Sequence, residues 1–425
     1  MTDTIFALSS GTAPAAIGVI RISGSSAGAA LIHLCGKVPA PRRVVLRILR
    51  DAAGEVLDRA IVLWLPGPAS ATGEDLAELH CHGGRAVIAA LEAELSRLPG
   101  LRAAAPGEFT RRAFANGAID LAEAEGLADL LSSETELQRR SAMALAGGAF
   151  SRQVGEWRES LLTLSARVEA VLDFADEDDV AVLPPDFTDQ LGALSQAIAG
   201  WLKRPRAEVL KEGFRVVLAG PPNAGKSTLF NALVEAEAAI TAPIAGTTRD
   251  VLTRPVALDG LPFLFVDTAG LAESTQDTIE AIGIKRARGE VSRADLVLWL
   301  GDEGQGPQGC WEIEAQADVS THVVKADPKH RVSAITGDGI TALRADLVAT
   351  ARRSLPRLGE AALNRRQHGL LAQAESALRA ADGRGDLLIL AENLRLARLA
   401  FDSFLGRTTT EDMLDALFGR FCIGK

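Results

Sequence analysis

The stretch FRVVLAGPPNAGKSTLFNAL, residues 214–233, constrains the fold more than any other. Val216, Val217 and Leu218 read as a buried strand. Gly220-Pro221-Pro222-Asn223-Ala224-Gly225-Lys226-Ser227 follows, and a helical pattern comes after it. This is G-x-x-x-x-G-K-[ST] in its strand–loop–helix context. The glycines let backbone N–H groups approach phosphates closely, Lys226 can reach β/γ oxygens, and Ser227 can ligate Mg²⁺. Strand and helix patterns alternate across residues 213–350, which predicts a parallel sheet around the motif.

Further elements follow in order. FLFVDTAG is an apolar strand ending in Asp267, Thr268, Ala269 and Gly270. An acid at that strand end can hold Mg²⁺ through water, and the Gly270 N–H can sense a γ-phosphate. In the intervening IAGTTRD, Thr247 or Thr248 is a candidate Mg²⁺ ligand. An Asp-Thr-Ala-Gly with an upstream threonine is the pattern of small GTPases rather than of ATPases in general. For base selection the expected segment is VVKADP: Asp327 accepts the guanine N1–H and 2-amino hydrogens and the Lys325 stem lies along the ring. The Ser333–Ala334 backbone of RVSAITG then lies near O6. The segment departs from N-K-x-D, since Val324 stands where the asparagine that ties the base loop to the phosphate loop is expected. Leu271 follows the Asp-Thr-Ala-Gly glycine and cannot orient a water, so Arg249 and Glu280 are the catalytic candidates. The Asn223 side-chain carbonyl either helps bind a monovalent cation beside the β/γ bridge or only braces the loop.

At 425 residues the chain exceeds one ordinary core. Residues 1–117 mix short apolar runs with Gly/Pro turns and read as a small α/β domain. Residues 118–212 and 351–425 are helical in pattern and flank the 213–350 insert, which suggests one discontinuous helical domain. The acidic run Asp176–Asp179 interrupts the first of these and reads as a solvated loop. A net charge of −10 disfavours unaided tight nucleic-acid binding, so such a partner needs a local basic surface or a second protein. Four scattered cysteines fit a reducing cytosol. No signal peptide or membrane-spanning run is expected. In RTTTEDMLDALFGRFC, Thr409 or Thr410 caps a helix, Glu411 and Asp412 favour its N-terminal dipole, and Leu414, Leu417, Phe418 and Phe421 share one face. That stripe is expected to dock the segment carrying Cys422.

Together GPPNAGKS, IAGTTRD, DTAG, VIRISG, TGEDLAELHCHGG and the closing FCIGK resemble the MnmE/TrmE family of tRNA uridine-modifying GTPases across essentially the whole chain. The resemblance implies an N-terminal α/β folate-binding domain, a discontinuous helical domain and an inserted Ras-like P-loop G domain. It implies a cytoplasmic homodimer through the N-terminal domains and a complex with the FAD/NADH protein MnmG (GidA). That complex installs an aminomethyl-type group on C5 of the wobble uridine of certain tRNAs, with a tetrahydrofolate derivative, 5-formyl- or methylene-tetrahydrofolate, as one-carbon source. GTP, Mg²⁺ and K⁺ are the further implied cofactors. By this resemblance Asn223, Ala242, Ile244 and Thr247 surround K⁺, and Ser227 and Thr248 hold Mg²⁺. The nucleotide site spans Asn223, Ala224, Gly225, Lys226, Ser227, Thr228, Ala242, Pro243, Ile244, Ala245, Gly246, Thr247 and Thr248 with the segments above. Glu280, in TIEAIGI, aligns with a water-orienting glutamate. Arg21, Glu78 and Lys425 match folate ligands, whereas Ala118 stands where relatives often carry Lys or Arg.

The spacing of CIGK also fits a prenylation signal, but a last lysine and the lack of a polybasic run argue against it. The favoured reading has the docked helix deliver Cys422 and Lys425 to the folate pocket. A purely structural thiol is the alternative, and reactivity needs a lowered pKa. His80, Cys81 and His82 resemble metal ligands, but neighbours on a strand alternate faces. Two competing functions remain open on sequence: a regulatory GTPase switch in ribosome assembly, and a folate-binding scaffold with a vestigial G domain.

Overall fold

The computed structural model describes residues 3–173, 183–205, 207–235, 253–268, 289–319, 322, 324–357, 360–381, 386–408, 410–419 and 421–424. In chain order these form β1 (Thr4–Leu8), β2 (Ile17–Ser23), α1 (Ala27–Cys35), β3 (Val45–Arg50), β4 (Val56–Leu65), β5 (Leu76–His82), α2 (Arg85–Ser96) and β6 (Leu101–Ala103). Then come the helices α3 (Glu108–Ala115), α4 (Leu121–Leu131), α5 (Glu136–Ala146), α6 (Ala149–Asp173), α7 (Phe187–Leu202) and α8 (Ala207–Glu212). Next are β7 (Phe214–Ala219), α9 (Lys226–Glu235), β8 (Thr253–Leu258), β9 (Leu261–Asp267), β10 (Leu296–Trp299), β11 (Trp311–Glu314) and β12 (His330–Arg331). The chain closes with α10 (Ile340–Ser354), α11 (Arg365–Ala380), α12 (Leu387–Phe404) and α13 (Glu411–Phe418). Two compact units result. One takes residues 1–128, 146–163 and 395–425, the other 129–145 and 164–394.

In the first unit a six-stranded sheet has the order β3-β4-β5-β2-β1-β6. All its pairs are antiparallel except β1 with β6. Strand side chains alternate between faces, so in β2 Ile20 and Ile22 point into a core that also holds Leu31 and Leu34 of α1 and Ile88 and Leu91 of α2. The same alternation turns Arg21 the other way, opposite Glu78 of β5 in register. A one-residue slip would exchange the two sets, and the buried isoleucines forbid it.

The docked helix α13 behaves as its pattern predicts. Thr410 takes the extended N-cap backbone but its side chain makes no cap hydrogen bond, Thr409 lies outside the described residues, and Glu411 and Asp412 occupy the first turn. Leu414, Phe418 and Phe421 are buried with Leu121 and Ala124, and Leu417 packs beside them. Arg111 of α3 also binds Glu411, and Asp415 at 2.8 Å. Close approach is possible because Gly107, before α3, has φ +68° and no side chain: a Cβ there would stand 2.1 Å from the Phe418 carbonyl oxygen.

The second unit carries the predicted parallel sheet, in the order β12-β11-β10-β7-β9-β8, with β8 antiparallel at one edge. Phe214, Val216 and Leu218 of β7, Phe263 and Phe265 of β9, Leu298 of β10 and Ile313 of β11 form a core with α9 and α10 through Leu229, Leu233, Leu343 and Leu347. The crossovers β10–β11 and β11–β12 contain no helix among the described residues. Their place is taken by ionic links. Ile313 faces the core, so Glu312 and Glu314 face the opposite side of the sheet. There Glu312 pairs with Lys325, and Glu314 with His322 at 3.0 Å and Arg331 at 3.1 Å. Burial pulls the Glu314 carboxyl up, but these partners together with the Lys325 N–H outweigh it and leave it below the ordinary range.

Gly107→Ala is expected to destabilise the first unit by about 2 kcal/mol, through a disfavoured backbone and the clash with Phe418. A lower Tm and faster amide exchange in α13 are the measured signs; unchanged exchange there contradicts the account.

Candidate functional site

The phosphate loop joins the carboxyl end of β7 to the first residue of α9, so the positive helix end faces the loop. Lys226 is buried, and its ammonium donates to the carbonyls of Gly220 at 3.0 Å and Pro221 at 2.7 Å. Burial pushes this ammonium below the ordinary lysine range, although Asp267 pulls the other way. Ser227 Oγ donates to Asp267 Oδ2 at 2.6 Å, and Asp267 is fully buried at the end of the adjacent strand β9. A hydroxyl and a carboxylate brought together beside a phosphate loop fit a hard divalent cation. Ala224 packs against the core, and Thr228 is exposed in the first turn of α9. The Thr268 hydroxyl is turned back onto the Leu218 carbonyl at 2.8 Å, so it braces the sheet.

The residues expected to select the base fall in two different settings. Ligands of parallel α/β sheets lie outside the carboxyl ends of the strands. Lys325 and Asp327 lie in the connection between β11 and β12 instead. Lys325 is buried on the face opposite α9, its ammonium committed to Glu312 and, at 2.9 Å, to the Trp299 carbonyl. The N–H of Asp327 is held by Glu303 at 2.9 Å. The residues at the carboxyl end of β11 are Ala315, Gln316, Ala317 and Asp318. Gln316 Nε2 donates to the Asn223 carbonyl at 3.4 Å, and Ser333 Oγ donates to Asp318 Oδ1 at 2.6 Å. The structure therefore brings Gln316 to the phosphate loop and Asp318 to Ser333, with Ala334 half-buried beside it. Both segments read x-x-A-D. Sequence reading chose the one with a lysine because the four-residue strand WEIE, half acidic, does not stand out as a strand.

A second cluster lies on the sheet of the first unit. Glu78 Oε1 accepts from Arg21 Nη2 at 2.9 Å and Nε at 3.2 Å, and His80 Nε2 lies 3.2 Å from Oε2. Burial alone pulls the Glu78 carboxyl up, but His80 and Arg21 together hold it below the ordinary carboxylate range. Arg21 also lies over the Phe109 ring at 5.8 Å. One carboxylate oxygen thus takes both guanidinium donors, and the other faces His80. Cys422 is exposed, and its carbonyl accepts from the Gly107 N–H at 3.5 Å. The Gly424 backbone lies against Leu8 and Ser9, next to Ala7, the strand partner of Arg21. The tail is thus laid beside the strand that neighbours Arg21. Cys81 is buried with its thiol on the Gly18 carbonyl, and burial pushes that thiol up to about 11. His82 turns to Asp58 at 2.7 Å. The three residues of His80-Cys81-His82 therefore go to separate partners. Ala242, Pro243, Ile244, Ala245, Gly246, Thr247, Thr248, Arg249, Ala269, Gly270, Glu280 and Lys425 lie outside the described residues, as does Asp176–Asp179.

Comparison with known proteins places this geometry. The description "GTP-binding protein TrmE N-terminus" matches residues 4–118, and "MnmE helical domain" matches residues 121–422. The chain is 64% identical to the tRNA modification GTPase MnmE of Novosphingobium aromaticivorans, covering 100% of both chains. The chain belongs to the MnmE family. Identity is 63% to the MnmE of Erythrobacter litoralis over 100% of both chains, and 58% to that of Rhizorhabdus wittichii over 100% of this chain and 97% of that one. Among the described residues no helix is long and apolar enough to cross a membrane.

Lys325→Met leaves Glu312 without its buried partner and is expected to destabilise the second unit by about 3 kcal/mol. Denaturant unfolding measures this. A loss of guanine discrimination without loss of stability would contradict the structural role.

Proposed function

We propose that the chain is a GTP-hydrolysing tRNA-modification enzyme. One observation carries the reading: in a member of this family, a buried lysine and a Ser227–Asp267 pair converge on an intact phosphate loop. Lys226 neutralises the β/γ oxygens. Ser227, with Thr248, holds Mg²⁺, which supplies charge neutralisation on those oxygens. Asn223, with Ala242, Ile244 and Thr247, surrounds K⁺. Glu280 orients the attacking water, and Arg249 is the second catalytic candidate. Asp318 accepts the two N–H groups of guanine and Ser333 fixes its carboxylate, the role first expected of Asp327.

Arg21, Glu78 and Lys425 bind the reduced folate, and the Glu78 carboxylate exchanges Arg21 or His80 hydrogen bonds for those of the pterin. Cys422 stands at the same site. The working assembly is a cytoplasmic homodimer joined to MnmG, with the wobble uridine of tRNA as the modified group. The acidic chain leaves most of the tRNA grip to that partner. The domain division 1–117, 118–212 with 351–425, and 213–350 is part of the same proposal.

Lys226→Ala is expected to weaken nucleotide binding roughly hundredfold, the worth of about 3 kcal/mol of charge-assisted hydrogen bonding, read by titration calorimetry. Asp318→Asn replaces an acceptor by a donor, so its preference is expected to move from guanosine to xanthosine nucleotide, while Asp327→Asn leaves preference unchanged. Competition binding decides between them, and the reverse pattern restores the VVKADP assignment. Removing Cys422–Lys425 is expected to abolish wobble-uridine modification while GTP hydrolysis persists. Intact modification in such a strain, by nucleoside mass spectrometry, favours a regulatory switch instead.

A further inference from the structure

A cleft of about 570 Å³ opens in the first unit where the starts of α4 and α6 meet the turn between α12 and α13. None of its lining residues belongs to the phosphate loop or to the Arg21–Glu78 cluster. Phe114, Ile119 and Leu405 make part of the lining apolar. One wall is acidic. Asp120 and Glu123 cap α4 reciprocally: the Glu123 N–H donates to Asp120 Oδ1 and the Asp120 N–H to Glu123 Oε2, each at 2.8 Å. The second Glu123 oxygen, Oε1, lies over Gly148, 2.1 Å from where a Cβ on that glycine would sit. Burial, with the Asp120 charge, holds the Glu123 carboxyl above its ordinary range against the Asp120 N–H and Arg152. The other wall belongs to the start of α6. Gly148 precedes that helix and has no side chain with which to cap its first N–H groups. Arg152 Nη1 lies 3.3 Å from the same point over Gly148 and donates to the Gly147 carbonyl at 3.4 Å. Ser151 also lines the cleft; it is 8% exposed, and its hydroxyl has no hydrogen-bond partner among the described residues. A buried hydroxyl left unpaired costs stability until something completes it.

A capping box accounts for one oxygen of each carboxylate. It explains neither the unpaired Ser151 hydroxyl nor the guanidinium beside it. Two carboxylates favour a cation, and a helix N-terminus with an arginine favours an anion. Glu123 and Arg152 both approach the one point over Gly148, so the two charged ends belong to one small molecule. We infer that this cleft binds a free α-amino acid with a large apolar side chain: its ammonium goes to Glu123, its carboxylate to Arg152, Ser151 and the start of α6, and its side chain to Phe114, Ile119 and Leu405. Glycine would leave the apolar lining uncovered, and a cleft of this volume is ordinary for much larger ligands. Phe114 also packs on Phe418 of α13, their ring centroids 6.1 Å apart, so an occupant steadies the helix that precedes Cys422.

Titration calorimetry of the full-length chain with L-phenylalanine tests this. Saturable heat is expected, with binding about tenfold weaker or worse for phenylpropionate, which lacks the ammonium, for phenethylamine, which lacks the carboxylate, and for glycine. Glu123→Gln keeps the capping box and is expected to weaken L-phenylalanine binding about tenfold, and Arg152→Gln, at an exposed position, about as much. Ser151→Ala is expected to weaken binding about fivefold while the Tm of the unliganded chain holds or rises, because it deletes an unpaired buried hydroxyl. Bound L-phenylalanine is also expected to slow amide exchange in α13. No saturable heat up to millimolar L-phenylalanine overturns the site. Equal binding of phenylpropionate or phenethylamine overturns the dipolar ligand, and equal binding of glycine overturns the apolar one. Unchanged affinity in all three variants places binding elsewhere and overturns the site as well.

Discussion

A buried ammonium organises the second unit. Lys226 is buried, its ammonium donates to the Gly220 and Pro221 carbonyls, and burial already depresses its affinity for a proton. An isolated cation in such a place is strongly unfavourable, so everything around it has to aim oxygen inward. Left-handed backbone at Asn223 and Gly225 turns the loop around it. The apolar rows of β7 and β9, locked against α9 and α10, fix where that loop begins and where Asp267 ends its strand. A phosphate chain bearing several negative charges is the natural complement of this arrangement.

The same logic of partnered charge shapes the first unit and the far side of the sheet in the second. Arg21 and Glu78 are held together because adjacent strands present them in register, and the pair keeps a half-buried carboxylate ionised. In the second unit Glu312 and Glu314 lie on a strand face that no crossover helix covers among the described residues. They recruit Lys325, His322 and Arg331 from the chain that follows. A lysine that looked like a base-binding residue is thereby committed to the sheet.

Which features were legible follows from how local their causes are. The phosphate loop and the Asp267 strand announce themselves within a dozen residues, because strand, turn and helix are adjacent in the chain. The apolar face of α13 is likewise readable, since a period of 3.6 places Leu414, Phe418 and Phe421 together wherever the helix docks. Strand β11 was not legible: four residues, two of them acidic, carry no hydrophobic run, and the core side is marked by Ile313 with Trp311 half-buried beside it. With β11 missed, only the second of two x-x-A-D segments was weighed as the base-binding one.

By itself the amino-acid sequence determined the phosphate-binding chemistry, the α/β character of the insert and the family to which the chain belongs. These depend on residue types at fixed short spacings. Only the tertiary structure decided that Asp318 meets Ser333, that Gln316 reaches the phosphate loop, and that Glu78 shares its oxygens between Arg21 and His80. Those facts depend on strand order and register, which join residues 93 and 57 positions apart through hydrogen bonds that no local pattern encodes.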